Sequence, residues 1–584
     1  MKKINKEGEK SLKYLIPFFK KYRLYSILAP LFKMLEATFD LIVPLVVADI
    51  INVGIKNHDT RYIFSRFAIM LLLAVLGLLS SFTAQFFAAK TAIDTSSELR
   101  HDLISHIGRL DFASLDTLGA STLITRMTAD VNQVQNGLNM FLRLFLRSPF
   151  IVFGAMIMAF TINKSVALVF AGVIPVLFAI VFGIMFWTNP LYKKQQSELD
   201  KVTSSARENL TGVRVVRAFA REEAEKEEFY RVNGALYKVQ NKVGSISALM
   251  NPLTYVVVNL GIVLILWYGS QKVNSGAILS GDVIALVNYL SQILIELVKL
   301  ANLIVLLSKA VASMGRIGQV LDTEPGMIYG DTEKAGEGDE AIRLTDAALR
   351  YPTAGENSLS GINLSVKKGE TVGIIGSTGS GKSTLVSLIA RFYDATEGSV
   401  FLDGIDIRSW SKKALSEKIA VVMQRPQLMS GTIRSNLLFG KPDATEEEMW
   451  EALKIAQAEE FVKKKDGGLD AVVEQGGRNL SGGQKQRLSI ARAVIKKPEI
   501  LILDDSSSAL DFATDAKLRK ALSSLSGTVT LFIISQRATT LMHSDKIMVL
   551  DDGECVGLGT HDELIKSSAV YKEIYESTER KAGE

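Results

Sequence analysis

The chain has 584 residues, 48% of them hydrophobic, and 67 basic against 62 acidic side chains give a net charge of +5. Its single cysteine, Cys555, excludes an intrachain disulfide and any cysteine-based metal site. The basic residues form no stripe interleaved with aromatics but cluster between apolar segments, so a membrane is the expected surroundings and nucleic acid is not an expected partner.

The basic start runs into the apolar stretch 12–28 without a small-residue cleavage pattern, so no cleavable signal is expected there. Residues 11–22 mix aromatic and basic side chains, as an interfacial helix on a membrane surface does. Six membrane spans follow at 24–51, 67–92, 136–162, 165–192, 243–271 and 283–310. Each exceeds the roughly 20 apolar residues needed to cross a bilayer. The windows 67–89, 165–192 and 243–271 contain no Asp, Glu, Lys or Arg, which argues strongly against a soluble protein.

The first, third and sixth spans carry internal charges. Glu36 and Asp40 lie four apart, hence on one helix face. Carboxylates inside a membrane helix are costly and normally meet a cavity or a partner. Glu36 and Asp40 therefore line a possible substrate cavity for a cationic small molecule, or belong to a structural pair such as Lys33 with Glu36. Glu296 and Lys299 invite the same two readings.

Spans are joined alternately by short segments, 52–66, 163–164 and 272–282, and by long charged ones, 90–135 and 193–242. The Lys/Arg-rich segments place the N-terminus, both long segments and the C-terminus in the cytoplasm of a multi-pass cell-membrane protein. The long segments are expected to extend the membrane helices beyond the bilayer. Residues 323–341, rich in Gly and acidic side chains without apolar period, read as a linker between a membrane domain, 1–322, and a second domain, 342–584. That second domain alternates strands with helices, an α/β pattern, with strands at 372–375, 419–422, 500–503, 530–534 and 546–550.

Within it, Gly376-Ser377-Thr378-Gly379-Ser380-Gly381-Lys382-Ser383-Thr384 fits G-x-x-x-x-G-K-[ST], between an apolar strand at 371–375 and a helix at 385–392. A strand, a glycine turn and a helix start aim backbone N–H groups and the positive helix end at one point, which suits a nucleoside triphosphate. Lys382 would reach the terminal phosphates and the Ser383 hydroxyl would ligate Mg²⁺. The apolar strand 500–503 ends in Asp504, a carboxylate placed to hold the Mg²⁺ water shell. Upstream lies Asn479-Leu480-Ser481-Gly482-Gly483-Gln484-Lys485-Gln486-Arg487, whose Ser-Gly-Gly at a helix start is a second anion nest. One nucleotide needs one phosphate loop, so a second nest implies a second subunit's nucleotide.

With these motifs the sequence resembles the ATP-binding cassette transporters. Leu480–Gln484 matches their signature, and the spacing to the phosphate loop and to Asp504 agrees. The resemblance implies that Tyr351 stacks on adenine and that Gln424 links Mg²⁺ to the membrane domain. It also implies that Ser508-Ala509-Leu510-Asp511 crosses to the partner cassette. It favours docking on the cassettes for short helices at 111–117 and 215–228, which otherwise read as solvated amphipathic helices. Six spans, a linker and a cassette are similar to a half-transporter of the bacterial multidrug-exporter type. Two such chains would close head to tail over two ATP molecules.

Two positions depart from that pattern. Where an active cassette has Glu after the Walker carboxylate, this chain has Asp505, and where it has His after strand 530–534, this chain has Gln536. Asp withdraws the carboxylate by roughly 1–1.5 Å, and a misplacement on that scale can cost about a hundredfold in rate. Gln donates a hydrogen bond but cannot become a cation. An intact signature beside two weakened catalytic positions points to a heterodimer, in which the partner supplies Glu and His. The expected activity is ATP-driven export of drugs, lipids or other amphipaths. The alternatives are a peptide, haem or polysaccharide-precursor exporter, for which a dedicated extra domain is missing, and an ATP-gated regulator with little turnover. The spans exclude a soluble DNA-repair ATPase.

Overall fold

The computed structural model describes residues 13–334, 336, 338–352, 354–506, 510–524 and 527–583. The chain divides into two compact units, Met1–Gly108 with Ser121–Asp322, and Arg109–Ala120 with Thr323–Glu584.

The first unit holds six helices long and apolar enough to cross a membrane: Arg23–Ile55, Thr60–Ile107, Ala120–Ile162, Lys164–Thr211, Glu222–Asn274 and Ser280–Leu321. Each contains one of the six expected spans. Two of them run 48 residues, and at 1.5 Å per residue such a helix is about 72 Å long, more than twice the roughly 30 Å of a hydrocarbon core. The tight turns have local causes. The Asn163 side chain accepts the N–H groups of Ser165 and Val166, restarting a helix one residue after the preceding one stops. Asp59 does the same for Tyr62.

Ala37, Leu41, Ala155, Phe170, Leu177 and Leu286 form the buried core of this unit. The Tyr289 hydroxyl, buried among them, donates to the Leu41 carbonyl at 2.6 Å. Phe67, Leu71, Leu78, Phe82 and Phe86 stay exposed on the second span, as side chains solvated by lipid rather than water would be. Of the expected interfacial stretch 11–22, residues 13–21 are helical and residues 11 and 12 lie outside the described residues. Lys21 and Tyr22 both donate to Glu98. The expected helix at 215–228 is instead broken: Val213–Ala218 ends, Ala220 takes φ 50°, and Glu222–Ala248 begins. Glu222, Glu223 and Glu225 crowd the first turn of the new helix, where its dipole favours negative charge and a fresh start.

The second unit is built on a six-stranded sheet in the order 554–559, 546–551, 371–376, 530–534, 500–504, 419–422. All neighbours are parallel except the edge strand Glu554–Gly559. The five expected strands are all present. Ile500–Asp504 and most of Thr371–Gly376 are buried on both faces, which is why they read as unbroken apolar runs. Successive residues serve opposite layers: Ile500 and Ile502 join one hydrophobic cluster, Leu501 and Leu503 another. The first cluster includes a second, antiparallel sheet, Glu340–Leu349, Leu359–Lys367, Glu397–Leu402 and Ile405–Asp406. The second is helical and contains Ile433, Leu453, Val462 and Leu488.

Within the stretch 323–341, read as a linker, residues 328–332 are seated on this unit. Gly330 N donates to the Arg408 and Trp410 carbonyls and Thr332 N to that of Ser409, while Thr332 O accepts from Ser411 N. The buried Arg391 donates to the Ile328 carbonyl at 2.7 Å. The unit also includes helix Phe112–Leu118, which overlaps the expected segment 111–117 and is capped by Asp111, which accepts Ser114 N at 2.9 Å. Phe112 meets Phe392 at 4.6 Å between ring centroids, and the Tyr393 hydroxyl donates to Asp116.

Candidate nucleotide site

Strands Thr371–Gly376, Ile500–Asp504 and Thr530–Ile534 are in register, with Ile534 opposite both Ile374 and Asp504. Their carboxyl ends therefore stop together, the edge of an open parallel sheet where ligands bind. The phosphate loop leaves the first of these ends and turns into helix Lys382–Ile389. Gly381 caps that helix at φ 94°, and a Cβ there would stand 2.7 Å from Leu359 Cδ2 and 2.9 Å from the Ser358 carbonyl. Both the dihedral and the crowding require glycine.

The Lys382 ammonium lies over the loop, donating to the carbonyls of Gly376, at 2.9 Å, and Ser377. A third bond reaches Ser380 Oγ at 3.3 Å. Burial lowers the Lys382 pKa, and the nearby Asp504 and Asp505 carboxylates oppose that shift. Ser383 Oγ donates to Asp504 Oδ2 at 3.0 Å. Burial raises the Asp504 carboxyl above its ordinary range, against the Ser383 hydrogen bond and with Asp505 adding repulsion. Hydroxyl and carboxylate oxygens at this separation form an all-oxygen donor set of the kind Mg²⁺ takes.

Asp505 sits one residue past the strand, in the left-handed region at φ 44°. Its N–H donates to the Ile534 carbonyl at 3.1 Å, and its Oδ2 accepts from Gln424 Nε2 at 3.2 Å. Burial raises its pKa too, opposed by Gln424, Lys382 and Arg537. Gln424 and Gln536 are exposed, Gln536 lying two residues past the end of strand Thr530–Ile534. The structure thus brings Lys382, Ser383, Gln424, Asp504 and Asp505 into one connected cluster. The Gln424–Asp505 bond was not anticipated, and nothing in the spacing of two residues 81 apart points to it.

Tyr351 lies beside this cluster. Its hydroxyl donates to Thr384 Oγ1 at 3.3 Å, and its ring meets Tyr393 edge to face at 4.9 Å. Tyr393, like Asp116, was not singled out in the sequence.

The signature stretch is elsewhere in the same unit. Ser481 caps helix Gly482–Val494: its Oγ accepts Gln484 N at 3.3 Å, and Gln484 Oε1 accepts Ser481 N at 3.0 Å. This reciprocal box leaves the helix start, Ser481 and Gly482, exposed while Leu480 is buried as its anchor. Of Ser508-Ala509-Leu510-Asp511, the first two lie outside the described residues. Asp511 caps helix Phe512–Ser523, accepting Thr514 N at 2.8 Å.

In the first unit the carboxylates Glu36 and Asp40 are both engaged. Lys33 pairs with Glu36. Arg147 of the third span reaches Asp40 at 2.9 Å, Glu296 at 2.9 Å and Glu36 at 3.7 Å. Glu296, almost wholly buried, also accepts from Ser148 Oγ at 2.7 Å and Lys299 at 2.8 Å. Lys33, Arg147 and Lys299 balance Glu36, Asp40 and Glu296, which is the structural-pair alternative enlarged to a network across three spans. Arg147 is the member that the sequence reading missed; a charge inside a span was the available signal.

Residues 26–297 match the family described as ABC transporter transmembrane region, and residues 359–508 the family described as ABC transporter. The chain is 36% identical over 566 residues to the uncharacterized ABC transporter ATP-binding protein YfiB of Bacillus subtilis, covering 96% of this chain and 98% of that one. It is 32% identical over 580 residues to YgaD of the same organism, provisionally named a multidrug export ATP-binding/permease protein, covering 97% and 98%. To the ATP-dependent lipid A-core flippase of Desulfotalea psychrophila it is 33% identical over 481 residues, 82% of this chain and 83% of the other.

Proposed function

The chain belongs to the ATP-binding cassette transporters, ATP-driven exporters of the membrane, and on that premise we propose that it is one half of a heterodimer whose own nucleotide site turns over slowly. The observation that carries this reading is Asp505 (with Gln536 close behind). Its backbone is tied to Ile534, so it cannot advance to make up for the missing methylene. The raised pKa of Asp505 makes its carboxylate, once ionised, a stronger base; the weakness we infer is one of reach.

In this reading the loop Gly376, Ser377, Thr378, Gly379, Ser380, Gly381, with Lys382, Ser383 and Thr384, binds the ATP phosphates, and Tyr351 receives the adenine. Ser383, Asp504 and Gln424 would hold Mg²⁺, which offsets phosphate charge when bound. Leu480, Ser481, Gly482, Gly483 and Gln484 would face ATP held by a partner chain that carries Glu and His. The open N–H groups are those of Gly482 and Gly483 at the helix start, since the N–H groups of Leu480, Ser481 and Gln484 are bonded within this chain. The N- and C-termini face the cytoplasm. Drugs, lipids or other amphipaths are the proposed cargo, in keeping with the names of two relatives, one provisionally named for multidrug export and one a lipid A-core flippase. Glu36 and Asp40, each already paired with a cation, serve the membrane domain as counter-ions more readily than as a docking point for a cationic cargo.

The test is ATP turnover of the purified chain, alone and with its partner half. Slow Lys382-dependent turnover alone and fast turnover in the pair is expected. Robust turnover by the chain alone, abolished by Lys382→Ala, would mean that Asp505 is a competent base and the homodimer a working pump.

A further inference from the structure

Three contacts inside the second unit join the nucleotide site to helix Phe112–Leu118, which follows the long helix Thr60–Ile107 in the chain. Tyr351 and Tyr393 meet edge to face, with centroids 4.9 Å apart and planes at 85°. The Tyr393 hydroxyl donates to Asp116 Oδ2, across 277 residues of sequence. Phe392, next to it, lies against Phe112 at 4.6 Å. The other edge of the path is anchored too, since Tyr351 donates to Thr384 in the phosphate-loop helix. Burial and the Asp116 bond hold the Tyr393 phenol above its usual pKa, so it remains a donor throughout the neutral range.

We propose that Tyr393 is a positioning residue that makes the seating of helix Phe112–Leu118 depend on a nucleobase stacked on Tyr351. This rests on the reading of Tyr351 as the adenine platform. An edge-to-face pair fixes the angle between two rings. A base stacked on the far face of Tyr351 removes that ring's remaining freedom, and Tyr393 inherits the restriction. A phenol–carboxylate bond is charge-assisted and directional, so holding the phenol holds Asp116 and the helix with it. Phosphates alone reach this path only through Thr384, whose bond to Tyr351 is made without them, and leave the ring face of Tyr351 open. The helix is therefore expected to respond to the base, which distinguishes ATP from inorganic tripolyphosphate at the same loop.

The experiment is hydrogen–deuterium exchange of peptides covering 109–120 in the full chain held in lipid nanodiscs. It is run without ligand, with saturating MgATP, and with saturating magnesium tripolyphosphate. ATP should slow exchange in these peptides about fivefold, the effect of one strengthened hydrogen bond on local opening, and tripolyphosphate should not. Tyr393→Phe, which keeps the ring and the fold, and Asp116→Asn should each abolish the ATP response, while ATP affinity stays within about twofold of the parent. A normal ATP response in Tyr393→Phe, or equal responses to ATP and tripolyphosphate in the parent, overturns the inference while leaving the nucleotide site intact. Unchanged ATP affinity in Tyr351→Ala would instead overturn the adenine assignment, and the inference with it.

Discussion

If reach limits the nucleotide site as proposed, lengthening one side chain should speed it. In Asp505→Glu the added methylene advances the carboxylate by about 1.5 Å, into the range whose loss can cost about a hundredfold. The gain is therefore expected near 100-fold, or about 2.7 kcal/mol of barrier. Backbone adjustment cannot supply it in the parent protein, because Asp505 N is bonded to the Ile534 carbonyl at 3.1 Å. The exposed Gln424 has room to give way to the longer chain. Adding Gln536→His restores a group able to carry a proton and charge, worth at least about tenfold more. A cost accompanies the change. Position 505 has φ 44°, which Asp tolerates better than Glu, so up to about 1 kcal/mol of stability should be lost. The assay is phosphate release at saturating MgATP by the purified chain in nanodiscs, corrected by Lys382→Ala, with dimer formation verified by light scattering. If verified dimers of both the single and the double variant stay within about threefold of the parent, reach is not what limits this site.

In the assembled pair, Ser481→Arg or Gly483→Asp puts bulk or negative charge at the exposed helix start and should nearly abolish ATPase and transport, whereas Asp505→Asn should cost far less; equal damage from both would make Asp505 catalytic after all. Arg147→Ala leaves the buried Glu296 and its neighbour Asp40 short of a cation and should destabilise the membrane unit by about 3–5 kcal/mol, read as a lower melting temperature in detergent, while Asp40→Asn at the half-exposed end should cost much less. Because burial raises the Asp504 pKa, the folded chain binds that proton more tightly than the unfolded one. Stability without nucleotide and Mg²⁺ should then fall as pH rises from the ordinary carboxylate value through the raised one. Asp504→Asn should therefore melt above the parent at pH 8 and lose that advantage near pH 4; an advantage independent of pH would contradict the assignment.

What the chain's text makes legible follows from range. The phosphate loop, its strand and its helix are contiguous, and strands such as Ile500–Asp504, buried on both faces, announce themselves as apolar runs. Spans without charge announce themselves by composition. The antiparallel sheet was missed because its strand Glu340–Leu349 is interrupted, its register shifting around Asp346, which takes φ 45°, although Leu359–Lys367 alternates cleanly. The seating of 328–332 was missed because it rests on backbone hydrogen bonds, which any composition can make. Arg147 with Asp40 and Tyr393 with Asp116 are separated by 107 and 277 residues, and pairs so distant have no local signature. The broken helix after Ala218 was hidden by a run that is helical in composition on both sides of its turn.

The two-faced central sheet bears on how such a chain can change over generations. Leu385 and Val386 of the phosphate-loop helix root in the cluster on one side of strand Ile500–Asp504, while Leu480 and Leu488 of the signature root in the cluster on the other. Substitutions that share no partners tend to act independently. The phosphate-loop helix and the signature helix therefore answer to separate lineages of mutation. One can decay while the other is kept, without the fold collapsing under either. A duplicated gene pair starting from two equal halves has an open route to inequality: one copy can lose its own catalysis while remaining indispensable to its sister.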